Sequence, residues 1–283
     1  MKKVLLLGAT GMLGSAVYES LKDTYDMILT LREAKKAELL DKACGGVGKH
    51  RLIQFDAALM QRNTNYFETF LNEVGNVDYV INAIGITQLH AGQNPPLTFF
   101  VNGDLPNVLS KTFGSHLIHI ATDGVYDGKR GPYDERSPKS PVGIYAESKS
   151  RGEPEDSLTL RTSIVGRELD GRTSLVEWFL QQEGKTIKGF AEHYWNGVTA
   201  KEFGNVCDRI MSHPEKYPTT GIYHIFSNTV SKYEILVALK EKFDVRCTIL
   251  PEHEHTCNRT LSTIYDFNKK LSIPSFKEML AGL

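Results

Sequence analysis

Tyr145 and Lys149 stand four positions apart within the segment Pro141 to Glu153 (PVGIYAESKSRGE). That spacing places both on one face of a helix opening at Gly143 to Ala146. A phenol with an ordinary pKa of about 10 is a poor proton donor at neutral pH, because acid–base catalysis works best with a pKa near the working pH. An ammonium beside it favours the phenolate and brings that pKa down. Upstream, His116 to Ala121 (HLIHIA) reads as a strand that runs out into Thr122. A hydroxyl at a strand end can orient a carbonyl oxygen while the phenol protonates the alkoxide that forms there. The three suit reduction of a carbonyl, with Tyr145 as proton donor, Thr122 as the orienting group and Lys149 tuning the phenol and holding a ribose.

Such a centre needs a hydride carrier, and the chain's first fourteen residues, MKKVLLLGATGMLG, provide for one. Val4 to Leu7 is a short apolar run suited to a strand buried on both faces. Gly8, Gly11 and Gly14 follow at three-residue spacing, serving in turn a tight turn, close approach of backbone to a pyrophosphate, and close packing of helix on strand. The helix from near Met12 (Ser15 to Lys22) then aims its N-terminus at the phosphates. Gly8, Thr10, Gly11, Met12, Leu13 and Gly14 are the expected cradle.

A second strand, Asp26 to Leu31, ends at the ribose-reading position, where an acid suits NAD and a cation suits the 2′-phosphate of NADP. Arg32 stands there, followed by Glu33, so NADP(H) is expected, with NAD(H) the alternative. Asp56, after a third strand (Arg51 to Phe55), can accept from adenine or cap the next helix. A fourth strand (Asp78 to Ile81) leads into Asn82, Ala83, Ile84 and Gly85. Ala83 and Gly85 are small enough for a cofactor to lie against the backbone. Asn102, within an expected helix Leu97 to Phe113, faces back to the sheet and is counted with the cofactor residues, as are Tyr145 and Lys149.

These elements predict an α/β fold with a doubly wound parallel sheet and a smaller C-terminal α/β lobe. Residues 1–165 would form the dinucleotide-binding part, with a return to it around 196–222, and residues 166–283 mainly the substrate lobe. The 283 residues carry 33 Lys and Arg against 34 Asp and Glu, a net charge of −1, which offers no field to attract nucleic acid or anionic lipid. No apolar stretch approaches the roughly 18 residues needed to span a bilayer. The four cysteines are far apart, as expected of reduced thiols in the cytoplasm.

In the last third, helices are expected over Arg172 to Glu183 and Glu202 to Met211, and strands over Ile222 to Ile225 and Val245 to Leu250. Ser231 with Glu234 reads as a capping box. His253, His255 and Cys257 alternate like ligands, but no fourth ligand is evident and no metal is expected.

The glycines with Tyr145 and Lys149 resemble the extended short-chain dehydrogenase/reductase superfamily. Within it, ATDGVYDG (Ala121 to Gly128), GPYDE (Gly131 to Glu135), the Tyr145 segment and LRTSIVG (Leu160 to Gly166) resemble the dTDP-4-dehydrorhamnose reductases. The resemblance implies NADPH-dependent reduction of the 4-keto group of a nucleotide-activated 4-keto-6-deoxy sugar, and a homodimer. It implies substrate contacts from Asp123, Gly124, Val125 and Tyr126, and from Arg259 on a diphosphate. Trp195 could stack on a base or sugar, or belong to the core.

Two departures stand out. Gly124 replaces a tyrosine of those reductases, and a glutamate of the related dehydratases, which speaks against dehydratase chemistry. HYWNGVTA (His193 to Ala200) replaces an Asp-Gln turn leading to Pro-Thr, which weakens the case for the rhamnose precursor itself. A 4-epimerase with retained NAD and a non-catalytic regulatory subunit are the rival readings.

Overall fold

The computed structural model describes every residue from Met1 to Leu283 other than Thr64. Its centre is the strand β1 (Lys3–Leu7), in which Val4, Leu5, Leu6 and Leu7 are fully buried. Period-two alternation divides them between two layers: Val4 and Leu6 join the larger core on one face of the sheet, Leu5 and Leu7 the core on the other. Hence the continuous apolar run, with no polar face to show.

Around it lie β2 (Asp26–Leu31), β3 (Arg51–Gln54), β4 (Tyr79–Asn82), β5 (Leu117–Thr122), β6 (Leu158–Thr162) and an outer strand, Gly221–His224. All pair in parallel, and the spatial order is Gly221–His224, β6, β5, β4, β1, β2, β3. The order reverses between β1 and β4, so a crevice opens beyond their carboxyl ends, where open α/β sheets bind ligands. This is the expected doubly wound fold. The return of the chain to the sheet is made by Gly221–His224 and by helix Ala200–Ser212, which packs against helix Met12–Leu21.

Three expected elements differ in detail. The helix expected over Leu97 to Phe113 is interrupted: Pro95–Phe99 and Leu105–Phe113 flank a π-helical turn, Phe100–Asp104. Pro106 has no N–H to offer the carbonyl four residues back, and the Asn107 side chain satisfies the Gly103 carbonyl at 2.7 Å. The helix expected from Arg172 is confined to Leu175–Leu180, because Glu168 holds the Thr173 N–H and hydroxyl at 3.0 and 2.9 Å and Ser174 caps the helix. The strand expected over Val245 to Leu250 lies at Thr248–Glu252, paired with Thr186–Phe190.

The lobe over the crevice is a small sheet in which His193–Trp195 is flanked by Val230–Ser231 and Cys257–Asn258. Ser231 and Glu234 form the expected capping box of helix Lys232–Phe243. Among the described residues no helix is long and apolar enough to cross a membrane.

Candidate functional site

The crevice begins at the glycines. Gly8 has φ +81°, a conformation that side chains disfavour, and a Cβ there would stand 3.0 Å from Ile84 Cγ1, narrowing the gap between the β1 and β4 loops. At Gly14 a Cβ would overlap the Gly8 carbonyl, so this glycine lets the helix sit on the strand. Gly11, the N-cap of helix Met12–Leu21, brings no capping side chain, and no acid occupies the first turn. The helix N–H groups are thereby left to an anion. The residues present thus fit a dinucleotide pyrophosphate.

A cavity of about 290 Å³ runs from Gly8, Thr10 and Gly11 to Arg32 and Asp56, walled on the other side by Ala83 and Gly85. Arg32 is exposed and lies 3.6 Å from Glu33, which is closer to Lys35 at 2.9 Å. Lys36, which the sequence reading passed over, lines the same cavity as a second cation. Asp56 does cap the next helix, accepting from Ala58 N at 2.8 Å, while it also faces the cavity.

The second stretch of the crevice, about 380 Å³, is lined by Met12, Leu13, Ala83 and Gly85 and reaches Thr122, Tyr145 and Lys149. The three expected catalytic groups are thus brought together, from the end of β5 and from helix Gly143–Arg151. Lys149 is buried and donates to the Ile120 carbonyl at 3.0 Å, tying that helix to β5. Burial lowers its pKa to about 8, with Glu153 opposing. Thr122 Oγ1 accepts from Gly124 N at 3.1 Å and donates to Asp123 Oδ1 at 3.2 Å.

Tyr145 corrects an expectation. Burial pushes its phenol above the ordinary value; a hydrogen bond with Thr122 works against this and the Asp123 charge adds to it. The expected lowering by Lys149 is absent from the site as it stands, where the ammonium is turned to the Ile120 carbonyl.

Asn102 is also corrected. Its buried amide accepts from Ile86 N at 2.8 Å and donates to Ile86 O at 2.9 Å and Ser148 Oγ at 3.2 Å. With every bond made inside the protein, it pins the loop after β4 to the helix of Tyr145 and Lys149; no free valence is left for a cofactor.

Beyond Tyr145 a third cavity, of about 340 Å³, contains Asp123, Gly124, Trp195 and Arg259. At Gly124 a Cβ would lie 3.3 Å from Thr122 Oγ1 and 3.5 Å from Tyr145 Cε1, so a larger residue would crowd both. Trp195 fills both expected roles: only 3 % exposed and edge-on to Phe276 at 5.5 Å, it still walls the cavity. Burial raises the pKa of Asp123, whereas Lys232, Arg259 and hydrogen bonds from Thr122 and Ser163 lower it.

Val125 and Tyr126 do not reach the substrate cavity. Both are fully buried, and Tyr126 stacks on Tyr133 with centroids 4.2 Å apart. The Tyr126 hydroxyl donates to Asp134 O at 3.1 Å and accepts from Arg161 at 2.7 Å. The short helical turn Asp123–Val125 buries the side chains that follow Gly124.

Sequence reasoning missed Ser163, His193, Tyr194 and Lys232, all of which line this cavity. Lys232 looks like a solvated first-turn lysine; the antiparallel pairing of Val230 with Trp195 is what carries it over the site. His253 and His255 turn instead to Glu192 and Glu252, at 3.3 and 3.1 Å.

Residues 1–262 match the family described as RmlD substrate binding domain. The chain is 26% identical over 265 residues to the spore coat polysaccharide biosynthesis protein SpsK of Bacillus subtilis, covering 88% of this chain and 82% of that protein. It is also 26% identical over 270 residues to the methionine adenosyltransferase 2 subunit beta of Danio rerio, covering 86% and 75%. Among solved structures, the dTDP-4-dehydrorhamnose reductase of Bacillus anthracis in complex with NADP superposes with a TM-score of 0.73 at 19% identity, over 99% of this chain and 97% of that one, a likeness of fold.

Proposed function

The chain belongs to the RmlD substrate binding domain family, and from that membership we propose that it reduces the 4-keto group of a nucleotide-activated 4-keto-6-deoxy sugar with NADPH. The observation that carries this reading is the convergence of Thr122, Tyr145 and Lys149 on a crevice continuous with the glycine cradle. When bound there, the reduced nicotinamide supplies the hydride. Tyr145 gives its phenolic proton to the carbonyl oxygen as that oxygen takes on charge, so hydride and proton together yield the alcohol. Thr122 Oγ1, donating to Asp123 in the free site, turns its hydrogen to the same oxygen. Lys149 holds the nicotinamide ribose and, as an ammonium, stabilises the phenolate left behind. Arg32 and Lys36 favour a 2′-phosphate, and the reductase of Bacillus anthracis was crystallised with NADP. The relative in Bacillus subtilis is named for spore coat polysaccharide biosynthesis, which agrees with a deoxysugar product.

The test is loss of NADPH absorbance when the purified protein meets a panel of 4-keto-6-deoxy sugars carried on dTDP, UDP, GDP and CDP. Oxidation with one member is expected; none with any, despite NADPH binding, would remove the reading. The likeness to a methionine adenosyltransferase 2 subunit beta supports a second reading, a cofactor-binding regulatory subunit. Tightly retained NAD in the purified protein would instead favour the epimerase.

The Lys149 pKa of about 8 sets a pH dependence. The ammonium is present below that value and lost above it, whereas the raised phenol keeps its proton there. The value of kcat/KM, which reports the free enzyme, should fall as the pH rises through about 8. A profile flat to about pH 10, the ordinary range of a solvated lysine, would contradict this role of Lys149.

A further inference from the structure

Lys232 is the first residue of helix Lys232–Phe243 and lines the cavity beyond Tyr145 together with Arg259. A cation there is electrostatically misplaced, because the helix dipole already puts partial positive charge at its N-terminus. Neither side chain makes a hydrogen bond or ion pair among the described residues, and the Arg259 Nε is sealed from solvent with no acceptor. Lys232 has only the Trp195 ring beneath it, 5.9 Å to the centroid. Asp123, the one carboxylate of the cavity, acts on Lys232 from beyond ion-pair distance and accepts instead from Thr122 Oγ1 at 3.2 Å. Burial and these two cations also lower the pKa of His193, which therefore adds no acceptor charge of its own.

The helix end adds donors. Its capping box uses the N–H groups of Ser231 and Glu234, at 2.6 and 3.1 Å. Those of Lys232 and Tyr233 have no partner among the described residues. Two unpaired cations, two free N–H groups and a helix dipole thus face one cavity, an arrangement that destabilises the free protein unless an anion completes it.

We infer that Lys232 and Arg259 clamp a phosphate or diphosphate on the anomeric carbon of the substrate, so that the sugar ring bridges from this clamp to Thr122 and Tyr145. The sugar in that statement rests on the reductase reading; the anion site does not. Thr122 and Tyr145 form one wall of the cavity and the two cations belong to the same lining, within about 340 Å³, room for a single hexose and its phosphate. The ketone and the anionic group then stand at opposite ends of one ring, and Lys232, by fixing the second end, determines which carbon is presented to the phenol.

The experiment is calorimetric titration of the protein saturated with NADPH, so that the dinucleotide crevice is filled, using inorganic pyrophosphate, glucose 1-phosphate and dTDP as separate probes. Wild-type protein should bind at least one probe, and Lys232→Met and Arg259→Met should each weaken it about tenfold or more, as expected for loss of a charge-assisted contact. The rise in Tm on adding NADPH should be the same in all three proteins, which establishes that the variants are folded. Glucose 1-phosphate matching dTDP would place recognition in the glycosyl phosphate; dTDP binding much more tightly would place it in the nucleoside diphosphate. Affinity within about twofold of wild type in Lys232→Met overturns the inference, as does binding of none of the three probes. Failure of the reductase reading looks different: phosphate binding intact, with no NADPH oxidised by any sugar.

Discussion

Tyr145→Phe is expected to reduce NADPH oxidation by about two to four orders of magnitude, the usual contribution of a positioned acid or base, with NADPH affinity and Tm close to wild type. The substitution removes one oxygen from a half-buried ring and leaves the ring itself in place. Its only structural loss is the hydrogen bond to Thr122, whose Oγ1 keeps its bonds to Gly124 N and Asp123. Activity and stability should therefore separate cleanly. Steady-state rates beside a thermal melt decide the matter: a variant that turns over within about tenfold of wild type would dismiss Tyr145 as the proton donor. An unchanged biological activity of the intact system would favour the regulatory-subunit reading.

The largest loss of stability is expected from Glu153→Ala, about 3–5 kcal/mol, because it strands a buried guanidinium. Glu153 and Arg161 are buried and meet in two parallel bonds, Nε to Oε1 at 2.8 Å and Nη2 to Oε2 at 2.9 Å. Lys139 adds a third contact to Glu153 at 3.1 Å. On its other side Arg161 Nη1 donates to the Tyr126 hydroxyl at 2.7 Å and to His224 Nε2 at 2.9 Å. His224 can accept there because its Nδ1 donates to the Ser262 carbonyl at 2.8 Å, which fixes the neutral tautomer. No other anion stands ready to replace Glu153 beside the guanidinium.

Urea unfolding measures the effect. A double variant, Glu153→Ala with Arg161→Met, should recover part of the loss, since removing both members of a buried pair costs much less than removing one. A single-variant loss under about 1 kcal/mol would mean that water reaches Arg161 and that the pair is not sealed. The network lies just past the helix of Tyr145 and Lys149, and Arg161 stands level with Ala121 of β5, so it also fixes the end of the catalytic helix.

Much of this molecule was legible in its sequence because the decisive signals are local. Four apolar residues before Gly8, with no polar alternation, can serve only a strand buried on both faces, and β1 is that strand. Gly8 and Gly14 carry backbone constraints that no other residue meets, so their spacing announces a turn and a close helix. Tyr145 and Lys149 share a face because a helix repeats every 3.6 residues. Thr122, at the end of the next-but-one strand from β1, falls beside them once the sheet is doubly wound.

What failed was of another kind. Asn102, Val125 and Tyr126 lie within a few residues of true site positions, yet their side chains are directed elsewhere. A π-helical turn forced near Pro106 sets Asn102 against Ile86 and Ser148, and a short helical turn after Thr122 sends Val125 and Tyr126 into a separate core. Proximity in sequence does not report side-chain direction across an irregular turn.

The sequence by itself determined the doubly wound sheet, the cradle for a dinucleotide and the identity of the three catalytic groups, since each depends on residue type and on spacing within one element. Only the tertiary structure decided what faces the substrate. Lys232 and Arg259 come from a helix end and a strand separated by the whole second lobe, and His193 from a third segment; they meet because Val230–Ser231 and Cys257–Asn258 pair on either side of His193–Trp195. It likewise decided the charge state of the catalytic groups, because the burial that raises the Tyr145 phenol and lowers Lys149 to about 8 is a property of the packed cleft and of no residue alone.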